Sequence, residues 1–338
     1  MIQIYLEDRN NILLPLRDKF EIVDDPRSAD VLVLWQDIRG DMLNLCRINE
    51  EYMHKPLVVV QHGRAATNDY LPPNSFKMSA AKFCCWGVKD YERLKRAGYA
   101  DKVVITGSPI VDFLQPKFEH DGKNIVFCPI ITMHEEPDNI ITYWALKKIE
   151  ISRSIKKLEK FKDALRNEWH AWIVEPTSAT ESSIPYYNIN KDWRLIAKLV
   201  DTHDKRLYFG DVVSTVPVNK THLIDSVKIL QMTDCVVGIE EGTFQLLAMA
   251  MDIPVVMVEG FKYRQYGGID YSSVEQVRTN ASRWVKLSEV EKAIDEEMAH
   301  PDRLKKEREQ VVRDELWDGK TNPTENIINV IREVYNNA

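Results

Sequence analysis

Asp234-Cys235-Val236-Val237-Gly238-Ile239-Glu240-Glu241-Gly242-Thr243-Phe244-Gln245-Leu246-Leu247-Ala248-Met249-Ala250-Met251-Asp252-Ile253-Pro254 carries the clearest fold signal in the chain. Its first apolar run is short, β-branched and uninterrupted, as suits a strand covered on both faces. The acidic Gly-Thr segment reads as a turn, and the residues after it as a helix. Ile253-Pro254 then leads into a further strand predicted over 255–258. Strand, helix and strand in that order form a parallel crossover, the unit of α/β architecture.

The same alternation extends outward along the chain. Strands are predicted over 2–6, 29–35, 57–61, 82–86 and 103–106, and in a second series over 125–128, 171–174, 206–209, 235–239 and 255–258. Helices are predicted over 41–52, 89–97, 193–200, 243–251, 289–299, 303–316 and 326–335. Between the two series, residues 115–123 are polar, carry Pro and Gly, and lack periodicity, which marks a linker. The expectation is α/β: two doubly wound, Rossmann-like domains facing across a cleft, over 1–116 and 117–320. A C-terminal helical segment, 321–338, packs back on the first domain in this reading.

Composition agrees with two folded domains. The chain has 338 residues, 44% of them hydrophobic and 29% charged, enough to bury large cores. Its five cysteines form no CxxC pair, so they read as small buried hydrophobes in a reducing, cytoplasmic setting. The N-terminus lacks a signal-peptide layout, and no apolar run approaches the roughly 20 residues of a membrane span. A formal net charge of −7 argues against a general phosphate-binding surface. Residues 147–166 depart from that average, with eight basic against three acidic residues. They read first as the solvated face of a helix and second as a patch for an anionic acceptor or membrane surface.

In open parallel sheets ligands gather beyond the carboxyl ends of the strands. Two such loops stand out. In Val60-Gln61-His62-Gly63-Arg64, His62 can act as a general base, Gly63 admits a ligand to the backbone, and Arg64 can pair with phosphate or carboxylate. In Glu240-Glu241-Gly242-Thr243, the amides opening the helix can hold a diphosphate, while the glutamates either bind sugar or ribose hydroxyls or repel phosphate. Lys262 and Arg264 lie among aromatics after the strand predicted to end at 258, which suits phosphate neutralisation or sugar stacking. No HExxH, Cys/His cluster or strand-borne DxD appears, so no metal is expected.

The segment from Asp234 to Pro254 resembles the nucleotide-binding element of GT-B glycosyltransferases and of the related non-hydrolysing UDP-N-acetylglucosamine 2-epimerases. In the first half, the Gln61-His62-Gly63 loop and the Thr106-Gly107-Ser108-Pro109 turn with Asp112 behind it are similar to those of CDP-glycerol-type polymerising transferases. The loop from Pro129 to Glu136 is placed like a phosphate-facing loop of such proteins. The resemblance spans roughly residues 55–140 and 230–260. It implies that Gly107, Ser108, Thr132, His134, Glu240, Glu241, Gly242 and Thr243 face the nucleotide, and that His62 faces the acceptor. The usual ribose-binding Glu-Ala pair is Leu247-Ala248 here, with Glu240 or Glu241 as the substitute. The epimerase His-Arg loop lacks its arginine at His134-Glu135, and residues 1–14 contain no glycine.

The expected function is therefore glycosyl transfer from a nucleotide-diphosphate sugar, with a UDP-sugar as co-substrate and neither metal nor cofactor. The acceptor is left open among a glycan, a lipid-linked intermediate, a protein and modified DNA. UDP-sugar 2-epimerisation, phosphoalcohol transfer from a CDP-linked donor, and silent nucleotide or sugar binding are the alternatives.

Overall fold

The structure is a computed structural model that describes residues 1–7, 12–38, 40–64, 66–72, 75–117, 123–128, 169–173, 230–231, 233–238, 242–258, 278–286 and 289–338. The chain divides into two compact units, Met1–Leu114 with Gln310–Ala338, and Gln115–Glu309. The sequence-based boundary after 116 lies two residues past the first division, and that after 320 lies eleven residues past the second. The second division lies inside a helix, Lys305–Glu315, so that its last residues belong to the first unit.

The first unit holds a six-stranded sheet in the order β2-β1-β3-β4-β5-β6. Its strands are β1 (Gln3–Glu7), β2 (Glu21–Ile22), β3 (Val31–Leu34), β4 (Leu57–Val60), β5 (Lys82–Cys85) and β6 (Val103–Ile105). Every pairing is parallel. Helix α1 (Gly40–Ile48) joins β3 to β4, and α2 (Val88–Leu94) joins β5 to β6; each runs on into one wider turn of π type.

Side chains alternate across a strand, and the two central strands show why both faces need cover. Val31, Val33, Val58 and Val60 point into one core, while Leu32, Leu34, Leu57 and Val59 point into the other. The first core is closed by the last helix, α6 (Pro323–Asn336), through Ile327, Ile328, Ile331 and Val334. That spacing of three and four residues makes one apolar stripe. Asn322 caps the helix by accepting from the Glu325 amide at 2.8 Å, and Pro323 opens it, where a missing N–H costs nothing.

The second unit contains a five-stranded parallel sheet in the order β11-β10-β9-β7-β8. Its strands are β7 (Lys123–Cys128), β8 (Trp169–Ile173), β9 (Cys235–Gly238), β10 (Val255–Val258) and β11 (Arg283–Val285). The crossover expected over 234–258 is present: β9, then α3 (Thr243–Ala250), then β10 beside β9. Helix α4 (Val290–Ala299) follows β11, and α5 (Lys305–Glu315) follows α4. Asp252, just beyond α3, has a positive φ of 56° and accepts charged hydrogen bonds from Lys305 and Arg308 of α5. The helix predicted over 193–200, the strand predicted over 206–209 and the basic segment 147–166 lie outside the described residues.

Candidate functional site

The site that the structure describes most fully is the loop after β4. Gln61 ends the strand, and its side chain organises the loop beyond it. Its Oε1 accepts from the Trp86 amide at 3.0 Å, and its Nε2 donates to the Gly63 carbonyl at 3.0 Å and to Asp90 Oδ2 at 2.8 Å. An amide N–H can only donate and a carbonyl can only accept, so these partners fix which way the carboxamide faces. The Gln61 backbone carbonyl also accepts from the Trp86 indole at 2.7 Å.

His62 stands between these anchors and is half-buried. Its Nδ1 lies 2.9 Å from the carbonyl oxygen of Trp35, the residue after β3. A carbonyl accepts only, so Nδ1 carries the proton and Nε2 is the acceptor nitrogen of the neutral ring. The Trp35 indole meets the imidazole edge to face, with centroids 4.5 Å apart and planes at 89°. Both residues sit at the carboxyl ends of adjacent strands, β3 and β4, next to the point where the chain order reverses around β1. That is where open α/β sheets place ligands.

Two buried carboxylates support this end of the sheet, and sequence reasoning passed over both. Asp90, on α2, accepts from Thr67 Oγ1 at 2.6 Å as well as from Gln61, with Arg93 at 3.4 Å. Burial raises its pKa, more than its hydrogen bonds and Arg93 lower it. Asp37, two residues past Trp35, accepts from the Tyr70 hydroxyl and from the amides of Ser79 and Ala80. Burial again raises its pKa against those bonds. Each stands among other polar and charged residues, in Val88-Lys89-Asp90-Tyr91-Glu92-Arg93 and Trp35-Gln36-Asp37-Ile38-Arg39, so the local sequence singles out neither.

Arg64, read as able to pair with phosphate or carboxylate, pairs with a carboxylate of the chain itself. It is buried, and its Nε donates to Glu315 Oε2 at 2.5 Å, while Lys89 reaches the other carboxylate oxygen at 2.7 Å. Burial alone would raise the pKa of Glu315, but the two cations outweigh it and hold the carboxyl below the ordinary glutamate value. The reason is tertiary: the C-terminal chain returns beside the loop, and Gly87 lets it do so. A Cβ on Gly87 would lie 2.6 Å from the Glu315 Cα.

The turn at Gly107 and Ser108, expected to face the nucleotide, packs against the C-terminal segment. Gly107 has a φ of 80°, and a Cβ there would come within 2.9 Å of Pro323. Ser108 is fully buried and its amide donates to the Leu316 carbonyl at 2.9 Å. Both residues are covered by the segment that leads into α6, so the turn docks the chain's own C-terminus in this conformation.

In the second unit, Gly242 and Thr243 open α3 as the sequence implied. The Gly242 amide donates to the Gln245 side chain at 3.0 Å, so the helix satisfies its first donor itself, as in one half of a capping box. Leu246, Leu247 and Ala248 are fully buried. Thr132, His134, Glu240, Glu241, Lys262 and Arg264 lie outside the described residues. Among the described residues, no group of three or more His, Cys, Asp and Glu is arranged to hold a metal, and no helix is long and apolar enough to cross a membrane. Burial pushes the thiols of Cys46, Cys84 and Cys235 up to about 12, which removes them as nucleophiles near neutral pH.

No protein-family profile and no curated protein sequence matches the chain. Solved structures do. A histidine-to-alanine variant of the wall teichoic acid polymerase TagF aligns over 99% of this chain and 89% of its own, at 8% identity and a TM-score of 0.52. A histidine-to-asparagine variant of TagF soaked with CDPG aligns over the same shares at 10% identity, also with a TM-score of 0.52. The chain has a GT-B-type fold. The UDP-GlcNAc 2-epimerase of Methanocaldococcus jannaschii is matched at a TM-score of 0.47, with 12% identity over 96% of this chain and 80% of that one. At such identities the likeness concerns the GT-B fold and leaves the chemistry to the residues.

Proposed function

We propose that this protein transfers a glycosyl group from a nucleotide-diphosphate sugar to an acceptor hydroxyl, with His62 as general base. The observation that carries the reading is the imidazole at the carboxyl end of β4, with Nδ1 committed to the Trp35 carbonyl and Nε2 as the basic nitrogen. The acceptor O–H gives its proton to Nε2 as its oxygen attacks the sugar's anomeric carbon. The carbon–oxygen bond to the diphosphate breaks, and its electrons remain on the leaving nucleoside diphosphate. The role of the second unit is to hold the donor, with the diphosphate against the first turn of α3 and with Lys262 and Arg264 balancing its charge in place of a metal. A UDP-sugar is the first donor to try.

A second reading, phosphoalcohol transfer from a CDP-linked donor, draws on the two TagF structures, one of them soaked with CDPG. The same base would serve, but the bond broken lies between the two phosphates and the product is CMP. One experiment addresses both. The purified protein is screened by thermal shift against UDP-sugars and CDP-alcohols, then incubated with each stabilising donor and acceptor hydroxyls, with and without EDTA. Nucleoside diphosphate release that survives EDTA supports the first reading, and CMP release supports the second. A protein that no donor stabilises, or a His62→Ala variant with unchanged turnover, refutes the assignment.

A further inference from the structure

The Gln61 carboxamide makes three hydrogen bonds, to the carbonyl of Gly63, the residue after His62, to the Trp86 amide and to Asp90. Among these, Asp90 is the one charged partner, and it is itself fixed by Thr67 and Arg93. Arg93 also donates to Asn68 Oδ1 at 2.5 Å, which joins the next part of the same loop to α2. Burying a carboxylate costs desolvation free energy, which this set of donors offsets, and the bonds that do so fix the groups that make them.

We infer that Asp90 is a positioning residue for His62: by aligning the Gln61 side chain it holds the backbone over residues 61–63, so that the imidazole meets the Trp35 carbonyl through Nδ1–H and keeps Nε2 basic. The inference rests on the reading of His62 as the base for its functional meaning, but its structural content is independent of any substrate. Asp90 acts through a partner and touches no reacting atom. Gln61 relays the constraint because its Nε2 bridges Asp90 Oδ2 and the Gly63 carbonyl, and Gln61 and Gly63 flank the histidine along the chain. Removing the carboxylate frees one Nε2 proton to turn the carboxamide, and the Gly63 bond loosens with it. A His62 ring released from the Trp35 carbonyl returns toward the Nε2–H tautomer that a solvated neutral histidine side chain prefers in water.

The test is ¹⁵N NMR of the full-length protein labelled at histidine, with the His62 signals assigned by their loss in His62→Ala. Wild type is expected to show Nδ1 protonated and Nε2 unprotonated in the neutral ring. Asp90→Ala is expected to lose that pattern, giving an average or Nε2–H signature. Asp90→Asn, whose side-chain oxygen still accepts from Gln61, is expected to restore it. If Asp90→Ala does not fold, Gln61→Met removes the same relay at similar volume and is expected to show the same loss. A folded Asp90→Ala or Gln61→Met protein with the wild-type signature overturns the inference, and so does a wild type with Nε2–H. Failure of the functional reading is seen separately, as a protein with the expected tautomer and no turnover with any donor.

Discussion

Replacing Glu315 with alanine is the sharpest test of how the loop carrying His62 is held. The Glu315 side chain is 7% exposed and Arg64 only 4%, whereas Lys89 is 48% exposed. The two bonds therefore differ in worth. Removing Glu315 leaves the Arg64 guanidinium buried without its carboxylate, a change that costs about 3–5 kcal/mol. Removing Lys89 breaks a half-exposed pair, with an expected cost of about 0.2–1 kcal/mol. With a urea m-value of about 2 kcal/mol/M, Glu315→Ala should lower the unfolding midpoint of the first unit by about 1.5–2.5 M. Lys89→Ala should lower it by less than about 0.5 M on the same m-value. Trp86, fully buried in that unit, is a suitable fluorescence reporter. The pH dependence adds a second check. The folded-state pKa of Glu315 lies below its ordinary value, so its contribution is complete above the unfolded pKa and is lost as pH falls through the folded one. Wild type should lose this stability in mild acid, and Glu315→Ala should lack that component. A midpoint for Glu315→Ala within the Lys89→Ala range would refute the view that this ion pair anchors the loop.

Three further outcomes come from the same geometry. Gly107→Ala combines a positive φ with contact against Pro323, and should destabilise by about 1–2 kcal/mol from the backbone alone, before the contact is counted; a scan showing an unchanged Tm would contradict the packing of that turn. Deleting residues 323–338 uncovers Ile4, Val31, Val33 and Val58 with the rest of their core, so the shortened chain should bind a hydrophobic dye and lose cooperative unfolding, which calorimetry would show. Cys46, Cys84 and Cys235 should resist a thiol reagent near neutral pH in the native protein and react fully in denaturant, because their raised pKa values and burial withhold the thiolate. Rapid native labelling of any of them would contradict that burial.

The strands with the plainest signal in the sequence are those whose every residue faces a core, while β1 and β6, only partly buried, were also legible from short apolar, β-branched runs. Leu57–Val60 and Cys235–Gly238 are buried throughout, and an unbroken apolar run can satisfy both faces of a sheet in only one way. The short edge strands β2 and β11 carried no such signal, since two or three half-exposed residues have no period. Helix α3 was legible from its Gly-Thr opening and the apolar residues after it, and α6 was predicted over 326–335, three residues short of the Pro323 that opens it. The histidine of the site was also legible, because a strand ending in His-Gly places its side chain at the carboxyl edge of a sheet wherever the chain goes next.

Local burial and turn chemistry, both written in the sequence, are thus enough to specify the alternation of strand and helix, the two parallel sheets and the position of His62. The surroundings of these elements come from tertiary contacts. The partner of Arg64 lies 251 residues away and that of Gln61 lies 29 away, and no local pattern encodes which carboxylate a returning chain will present. That return brings the C-terminal segment against Arg64, Gly107 and Ser108, three residues expected to contact ligand. It is likewise the packing of α2 against the loop after β4 that makes Asp90, one acidic residue among many in the sequence, the anchor beneath the histidine.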